Sequence, residues 1–393
     1  MHLLNTYATS TGSKIEKPFI YTSFFPVPDE KYITFQAQTK SEAKDYSFWQ
    51  DVINMIFPVV SKYGIKIIQV GGDKEKPYQY AVDFRGKTNI NQLAYVIQHS
   101  CLHIGSDSLC VHLASGFDIP LVALYSTSPK TVSGPIFNKS EKQIIFESYL
   151  RMGNQKSSFS NQENPKSVNL IRPEEIANAV FKQMGLEFEL PLETIYVGEK
   201  YGYDKIRDFI PNNVVQLFNP EIPVEIRMDI EFNENILAQQ LSIGKGIIIT
   251  DKPINLNLLK QFKPNIPTLI YEVKENDNPE FIVAVKKIGI PSAVITYLPV
   301  EKLESKKIHY YEHGKINVIK NESQEAIDIL KKDIDNLYYR SNKIILSNNK
   351  FYLSNAARAK DIDVKSDFDY QKVIDAPEFW QELNYMHIVK KVK

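Results

Sequence analysis

From Lys31 onward the chain alternates short β-rich apolar runs with amphipathic stretches of helical length, and it does so in two successive blocks. Residues 32–35 read as a strand. Residues 48–62 set Trp49, Val52, Ile53, Ile56, Val59 and Val60 at helical spacing, and 65–70 form a second strand ending in Gly71-Gly72. Residues 90–99, 101–104, 111–117 and 121–125 continue as helix, strand, helix, strand. Such repetition requires parallel pairing with helices packed on the sheet faces. Residues 151–167, with Gly153, Ser157-Ser158, Ser160, Asn161 and Pro165, interrupt the pattern as an excursion or mobile loop. Pro173 then opens a short helix to about Met184, at the one helical position where a missing N–H is harmless.

The second block predicts strands over 194–197, 214–218, 247–250, 268–271 and 293–297. Helices start at Asp204 and Asn233, lie near Leu258, and span 279–288. The remainder reads as hairpins over 308–319 and 344–353 and helices over 324–338 and 378–388. The expected fold is α/β: two Rossmann-like parallel-sheet domains, 1–190 and 191–300, with a hairpin and helical extension, 301–393. A chain of 393 residues with 43% hydrophobic content supports two such cores. Lys+Arg and Asp+Glu both number 47, so no global field draws the chain to nucleic acid or anionic lipid. Two cysteines, no apolar run near the roughly 20 residues of a membrane span and no signal-peptide order predict a cytoplasmic protein.

In an open parallel sheet, chemistry gathers beyond the carboxyl ends of the strands. The junction at residues 104–116 leaves an apolar strand, turns through Gly105, Ser106, Asp107 and Ser108, and enters a helix. Asp107 or Ser108 can cap that helix, whose free first-turn amides form an anion site. His112, four residues after Ser108, projects from the same helical face. The alternative is structural: a cap, with His112 packed in the core. Metal-ligand spacings, a Walker loop, a Ser-His-Asp arrangement and a dinucleotide fingerprint are absent from the sequence.

The run Asp107-Ser108-Leu109-Cys110-Val111-His112-Leu113-Ala114, followed by Ile119-Pro120-Leu121-Val122-Ala123-Leu124-Tyr125, resembles a signature of the family 9 glycosyltransferases, the heptosyltransferase family. Phe35-Gln36-Ala37 with Lys44 and Trp49, then Gly71-Gly72-Asp73-Lys74-Glu75, Gly86-Lys87-Thr88 with Leu93-Ala94, and Arg172-Pro173-Glu174-Glu175-Ile176 resemble further family segments in the same order. The likeness covers about residues 18–187.

The resemblance implies the nucleotide-sugar half of a two-domain GT-B glycosyltransferase, with a nucleoside-diphosphate sugar as donor, an unknown acceptor and no cofactor or obligatory metal. By family position Ser108 and the following amides would cradle phosphates, His112 would donate to them, Lys44 would supply a cation, and Glu75 would take ribose hydroxyls. Asp107 would order the turn. Two features depart from the family: Leu109 replaces a glycine, and the acceptor half does not precede this segment. The second block then stands as that half in permuted order, with Asp204 as general base or simply as a helix cap. Two other readings remain: an inactive nucleotide-binding or scaffolding protein, or a half that works with a separately encoded acceptor domain.

Overall fold

Tyr32, Ile33, Thr34 and Phe35 are all buried, as a strand covered on both faces requires. They form β1 (Tyr32–Gln36), which follows an exposed helix α1 (Leu3–Thr11). The structure is a computed structural model and describes residues 1–151, 156–197, 199–202, 206–214, 224–311, 316–318, 324–362 and 373–391. It divides into two compact units, Met1–Thr194 and Ile195–Lys391.

In the first unit β1 is joined by β2 (Lys66–Val70), β3 (Val82–Asp83), β4 (Leu102–Ser106), β5 (Leu121–Tyr125) and β6 (Gln143–Glu147). All pair in parallel, in the order β3-β2-β1-β4-β5-β6. The chain builds outward from β1 to β3, then returns to the other edge of β1 for β4. That reversal opens a crevice between the carboxyl ends of β1 and β4. The helices are α2 (Trp49–Val60), α3 (Ile90–Gln98), α4 (Leu109–Gly116), the single turn α5 (Lys130–Ser133) and α6 (Pro173–Gln183). Asn89 and Gln92 form a capping box that starts α3, and Pro173 opens α6. Helices α3 and α4 share a core with Ile68, Val70, Leu121 and Ala123, against which Ile20, Phe25 and Val27 of the amino-terminal segment also pack. Helix α2 packs on α6.

The second unit is organised differently. After β7 (Leu192–Val197) at the boundary, the strands β8 (Ile206–Phe209), β9 (Val224–Arg227), β10 (Gly246–Thr250), β11 (Leu269–Glu272), β12 (Ser292–Thr296) and β13 (Ile316–Val318) lie side by side in chain order, all parallel. Right-handed crossovers that always step the same way put every connecting helix on the same face. Accordingly α7 (Glu234–Ile243), α8 (Leu256–Gln261), α9 (Glu280–Ile288) and α10 (Leu303–Tyr310) share one core with Val224, Ile226, Ile248, Leu269 and Val294. The alternate residues Ile247, Ile249, Ile270 and Ile295 point the other way and are only partly buried.

Helix α11 (Gln324–Lys331) and β14 (Leu337–Ser341) lead to β15 (Lys343–Ser347), which returns to the free edge of β8 in parallel. Next, β16 (Lys350–Tyr352) closes an antiparallel hairpin with β15. Short helices α12 (Asn355–Ala359) and α13 (Pro377–Gln381) and strand β17 (Met386–Lys391), antiparallel to β14, complete a second core around Ile345, Phe379 and Ile388.

Several sequence expectations are corrected here. Residues 206–209 are a strand, not part of a helix from Asp204. The strand expected over 214–218 lies largely outside the described residues, and the observed strand begins at Val224. The first expected hairpin is instead helix α10 followed by the parallel strand β13, because Leu303 and Tyr310, two helical turns apart, share one buried face. The helix over 324–338 stops at Lys331, and that over 378–388 at Gln381. Both give way to β14 and β17, whose residues Leu337, Tyr339, Met386 and Ile388 are buried as a cross-strand set. No helix among the described residues is long and apolar enough to cross a membrane.

Candidate functional site

At the crevice, β1 ends in Gln36 and Ala37 and β4 ends in Ser106, Asp107 and Ser108. Trp49 from α2 fixes the first of these ends: its indole N–H donates to the Ala37 carbonyl at 3.0 Å, and its ring meets Phe35 and Tyr46 edge-on. The chain then turns through a short 3-10 segment, Glu42–Lys44. Asp45 holds this turn by accepting the Thr39 N–H at 2.7 Å and the Thr39 hydroxyl at 3.1 Å. A distant stretch pins it further, since Ala43 N–H donates to the Asn161 carbonyl at 3.0 Å and Phe159 N–H to the Thr127 carbonyl at 2.8 Å. The described part of the expected excursion thus closes over the site loop.

This arrangement delivers Lys44 to Asp107. Lys44 Nζ donates to Asp107 Oδ2 at 2.6 Å, the Ser128 hydroxyl donates to the same oxygen at 3.2 Å, and His112 Nε2 stands 3.7 Å from Oδ1. Burial opposes ionisation of Asp107, but the neighbouring His112 imidazole and the Lys44 hydrogen bond outweigh it and hold the carboxyl below the usual range. Ser108 occupies the cap position of α4 without a side-chain capping bond. Its hydroxyl donates instead to Gln36 Oε1 at 2.5 Å, linking the ends of β4 and β1. The first-turn amides of α4 have no carbonyl partner within the helix and face the crevice. Leu109, where the signature has glycine, is half exposed.

Glu75 sits in the loop after β2, where Gly71 has φ +143° and a side chain at Gly71 would collide with the Glu75 carboxylate. Glu75 Oε1 accepts the Gly72 N–H at 2.7 Å. Burial raises its pKa, and the amides of Gly72 and Gln38 offset part of this. Burial together with the Glu75 charge pushes the Cys110 thiol, in the first turn of α4, up to about 12.

The structure thus brings Lys44, Asp107, Ser108 and His112 together, while Glu75 stands in the loop after β2, bonded to the Gly72 amide. Asp204 lies outside the described residues. Sequence reasoning missed Ser128, Gln36 as a partner of Ser108, and Asn161. The Ser126-Thr127-Ser128 run at the carboxyl end of β5 was the one available signal for Ser128. His103, on β4 beneath the site, is fully buried against Thr34, and burial drives its pKa down to about 3, so it is a neutral structural group. Among the described residues no cluster of three or more His, Cys, Asp or Glu could hold a metal ion.

Residues 12–161 match the model of glycosyltransferase family 9 (heptosyltransferase). No curated protein matches the chain. Among solved structures, a family 9 glycosyltransferase from Veillonella parvula is 18% identical over 46% of this chain and 49% of its own, with a TM-score of 0.33. The iron-containing dodecameric glycosyltransferase TibC from enterotoxigenic E. coli is 17% identical over 44% and 50%, at 0.36. The ADP-heptose heptosyltransferase II of E. coli is 16% identical over 46% and 51%, at 0.29. The chain spans about half the length of these relatives. Over residues 12–161, within the unit built around the β1–β4 crevice, the chain is similar to the family 9 glycosyltransferases, the heptosyltransferase family.

Proposed function

We propose that the first unit binds the diphosphate end of a nucleotide sugar at the β1–β4 crevice and that the protein transfers that sugar to an acceptor. The observation that carries this reading is the convergence of Lys44, Asp107, Ser108 and His112 on the amino terminus of α4 at the reversal point of the sheet. Charge grows on the leaving diphosphate as the glycosidic bond breaks, and fixed donors and a cation aimed there lower the barrier. Helix amides, His112 and Lys44 supply that stabilisation from the chain itself, so no metal is obligatory. Glu75 would accept ribose hydroxyls once it turns from the Gly72 amide. TibC has been solved with ADP-heptose and the E. coli heptosyltransferase WaaC with ADP, which makes ADP-sugars the first donors to try. Asp204 is proposed as general base for the acceptor hydroxyl.

The test is release of nucleoside diphosphate from ADP-heptose or ADP-glucose by the full chain. Release is expected from the native protein and lost in a Ser108→Ala, His112→Ala double variant whose unliganded melting temperature stays close to native. Native protein that binds no nucleotide sugar would overturn the reading. Leu109 favours a second one, a nucleotide-binding protein without transfer, because its Cβ crowds the backbone that a phosphate would approach. Leu109→Gly is expected to tighten ADP binding in calorimetry, although glycine weakens the helix start by up to about 1 kcal/mol. Unchanged or weaker binding would mean that this loop accommodates phosphate in another way.

A further inference from the structure

Phe159 keeps a large apolar ring in water on a backbone that suits glycine or asparagine better. Its side chain is 67% exposed and meets no other aromatic ring among the described residues. Its φ is +51°, in the left-handed region that a bulky residue occupies only at a cost. Residues held this way gather at ligand-binding positions, and Phe159 stands at the rim of the β1–β4 crevice.

The strap that carries this ring is fastened to that rim on two sides. Phe159 N–H donates to the Thr127 carbonyl at 2.8 Å, next to Ser128. The Asn161 carbonyl accepts the Ala43 N–H at 3.0 Å and the Ser41 hydroxyl at 3.3 Å, next to Lys44. The Ser126 hydroxyl closes the circuit by donating to the Ala43 carbonyl at 3.3 Å. Because Lys44 and Ser128 both donate to Asp107 Oδ2, residues 159–161 border the Asp107 group directly. Within the strap the Ser158 hydroxyl donates to Glu163 Oε1 at 2.5 Å, and Glu163 Oε2 accepts the Ser167 N–H and hydroxyl at 2.9 and 2.7 Å. The turn is therefore set in the unliganded protein.

Strand order decides which end of a donor this ring would meet. Glu75 follows β2, the amino terminus of α4 follows β4, and Thr127 follows β5, so the three stand in that order across the sheet. At the usual strand spacing β2 and β5 are about 14 Å apart. On the donor reading of this crevice, on which the inference rests, ribose lies at Glu75 and the diphosphate at α4. The transferred sugar then extends toward β5 and the strap. We propose that Phe159 is a specificity-determining residue of the donor site, its ring the platform for the apolar C–H face of a pyranose sugar. The face of an aromatic ring is electron-rich and attracts polarised C–H groups. Beside it the Asn161 side chain is exposed, and its amide makes no hydrogen bond among the described residues. That amide is free both to donate to and to accept from the sugar hydroxyls.

The test is calorimetry on the full chain with paired ligands, ADP against ADP-glucose and UDP against UDP-glucose, for the native protein, Phe159→Asn and Phe159→Trp. Asparagine accepts the left-handed backbone, so the strap should keep its shape and the melting temperature should hold. Phe159→Asn is expected to weaken the nucleotide sugar that the native protein binds by about tenfold, the worth of covering roughly 55 Å² of ring at about 25 cal/mol per Å². The matching nucleoside diphosphate should bind as before, and Phe159→Trp should keep the native affinity for both. An equal loss for diphosphate and nucleotide sugar would put the ring on the nucleotide, and no loss for either would leave it without a ligand. Each of these overturns the proposal while the donor reading stands. A native protein that binds none of the four ligands overturns the donor reading itself, and the role of Phe159 falls with it.

Discussion

Lys44→Ala is expected to abolish nucleotide stabilisation of the first unit while leaving it folded. A ligand at a hundred times its dissociation constant stabilises the fold by about 2.7 kcal/mol, which for a unit of this size corresponds to roughly 5–11 °C in melting temperature. The native protein should show that shift with a nucleoside diphosphate, and Lys44→Ala should not. The unliganded variant should lose about 1–3 kcal/mol, because Asp107 remains buried with its strongest donor removed. Lys44→Arg separates the two effects. It keeps the charge beside Asp107, so stability should largely return, whereas nucleotide affinity depends on whether the larger guanidinium fits. A full nucleotide shift in Lys44→Ala would remove Lys44 from the binding reading.

Trp49→Ala carries the largest expected cost in the fold. Its side chain is completely buried, packs on Phe35 at 5.0 Å and Tyr46 at 5.2 Å between ring centroids, and satisfies the Ala37 carbonyl. Removing it leaves a cavity and an orphaned carbonyl at the end of β1, a loss of about 3–5 kcal/mol. Trp49→Phe refills most of the volume and should cost less, chiefly the hydrogen bond. Hydrogen-exchange protection of the β1 amides measures both, because it reports on this unit without requiring the whole chain to unfold in one step. A loss below about 1 kcal/mol in Trp49→Ala would show that the site end of β1 is held by something other than this ring.

The alternation of apolar runs made most of the first unit legible, because β1, β2, β4 and β5 are buried on both faces and α2 and α3 carry clean amphipathic spacing. Helix starts were legible where local chemistry marks them, as at Pro173 and Asn233. Strand order was not. The reversal at β1 and the steady progression from β8 to β13 are set by which edge each crossover returns to, and residue spacing does not record that. The carboxy-terminal region misled because residues 337–341 and 386–391 become strands only by pairing with each other across the fold. At the site, Lys44, Ser108 and His112 were legible through the order of segments. Gln36, Ser128 and Asn161 act through long-range contacts that leave no local trace.

The hydrogen bonds that tie the Lys44 loop to Asn161 also constrain when the site can form. Ser41 and Asn161 are 120 residues apart, and the loop is fastened only once both are present. At roughly 5–20 residues per second of synthesis, about 6–24 s separate the emergence of the two. A nascent chain that ends before residue 159 can already pair β1 with β2, β4 and β5, but lacks the backbone that closes the loop carrying Lys44. Ribosome-bound intermediates of that length should therefore protect the sheet amides while leaving the 39–45 loop open to protease.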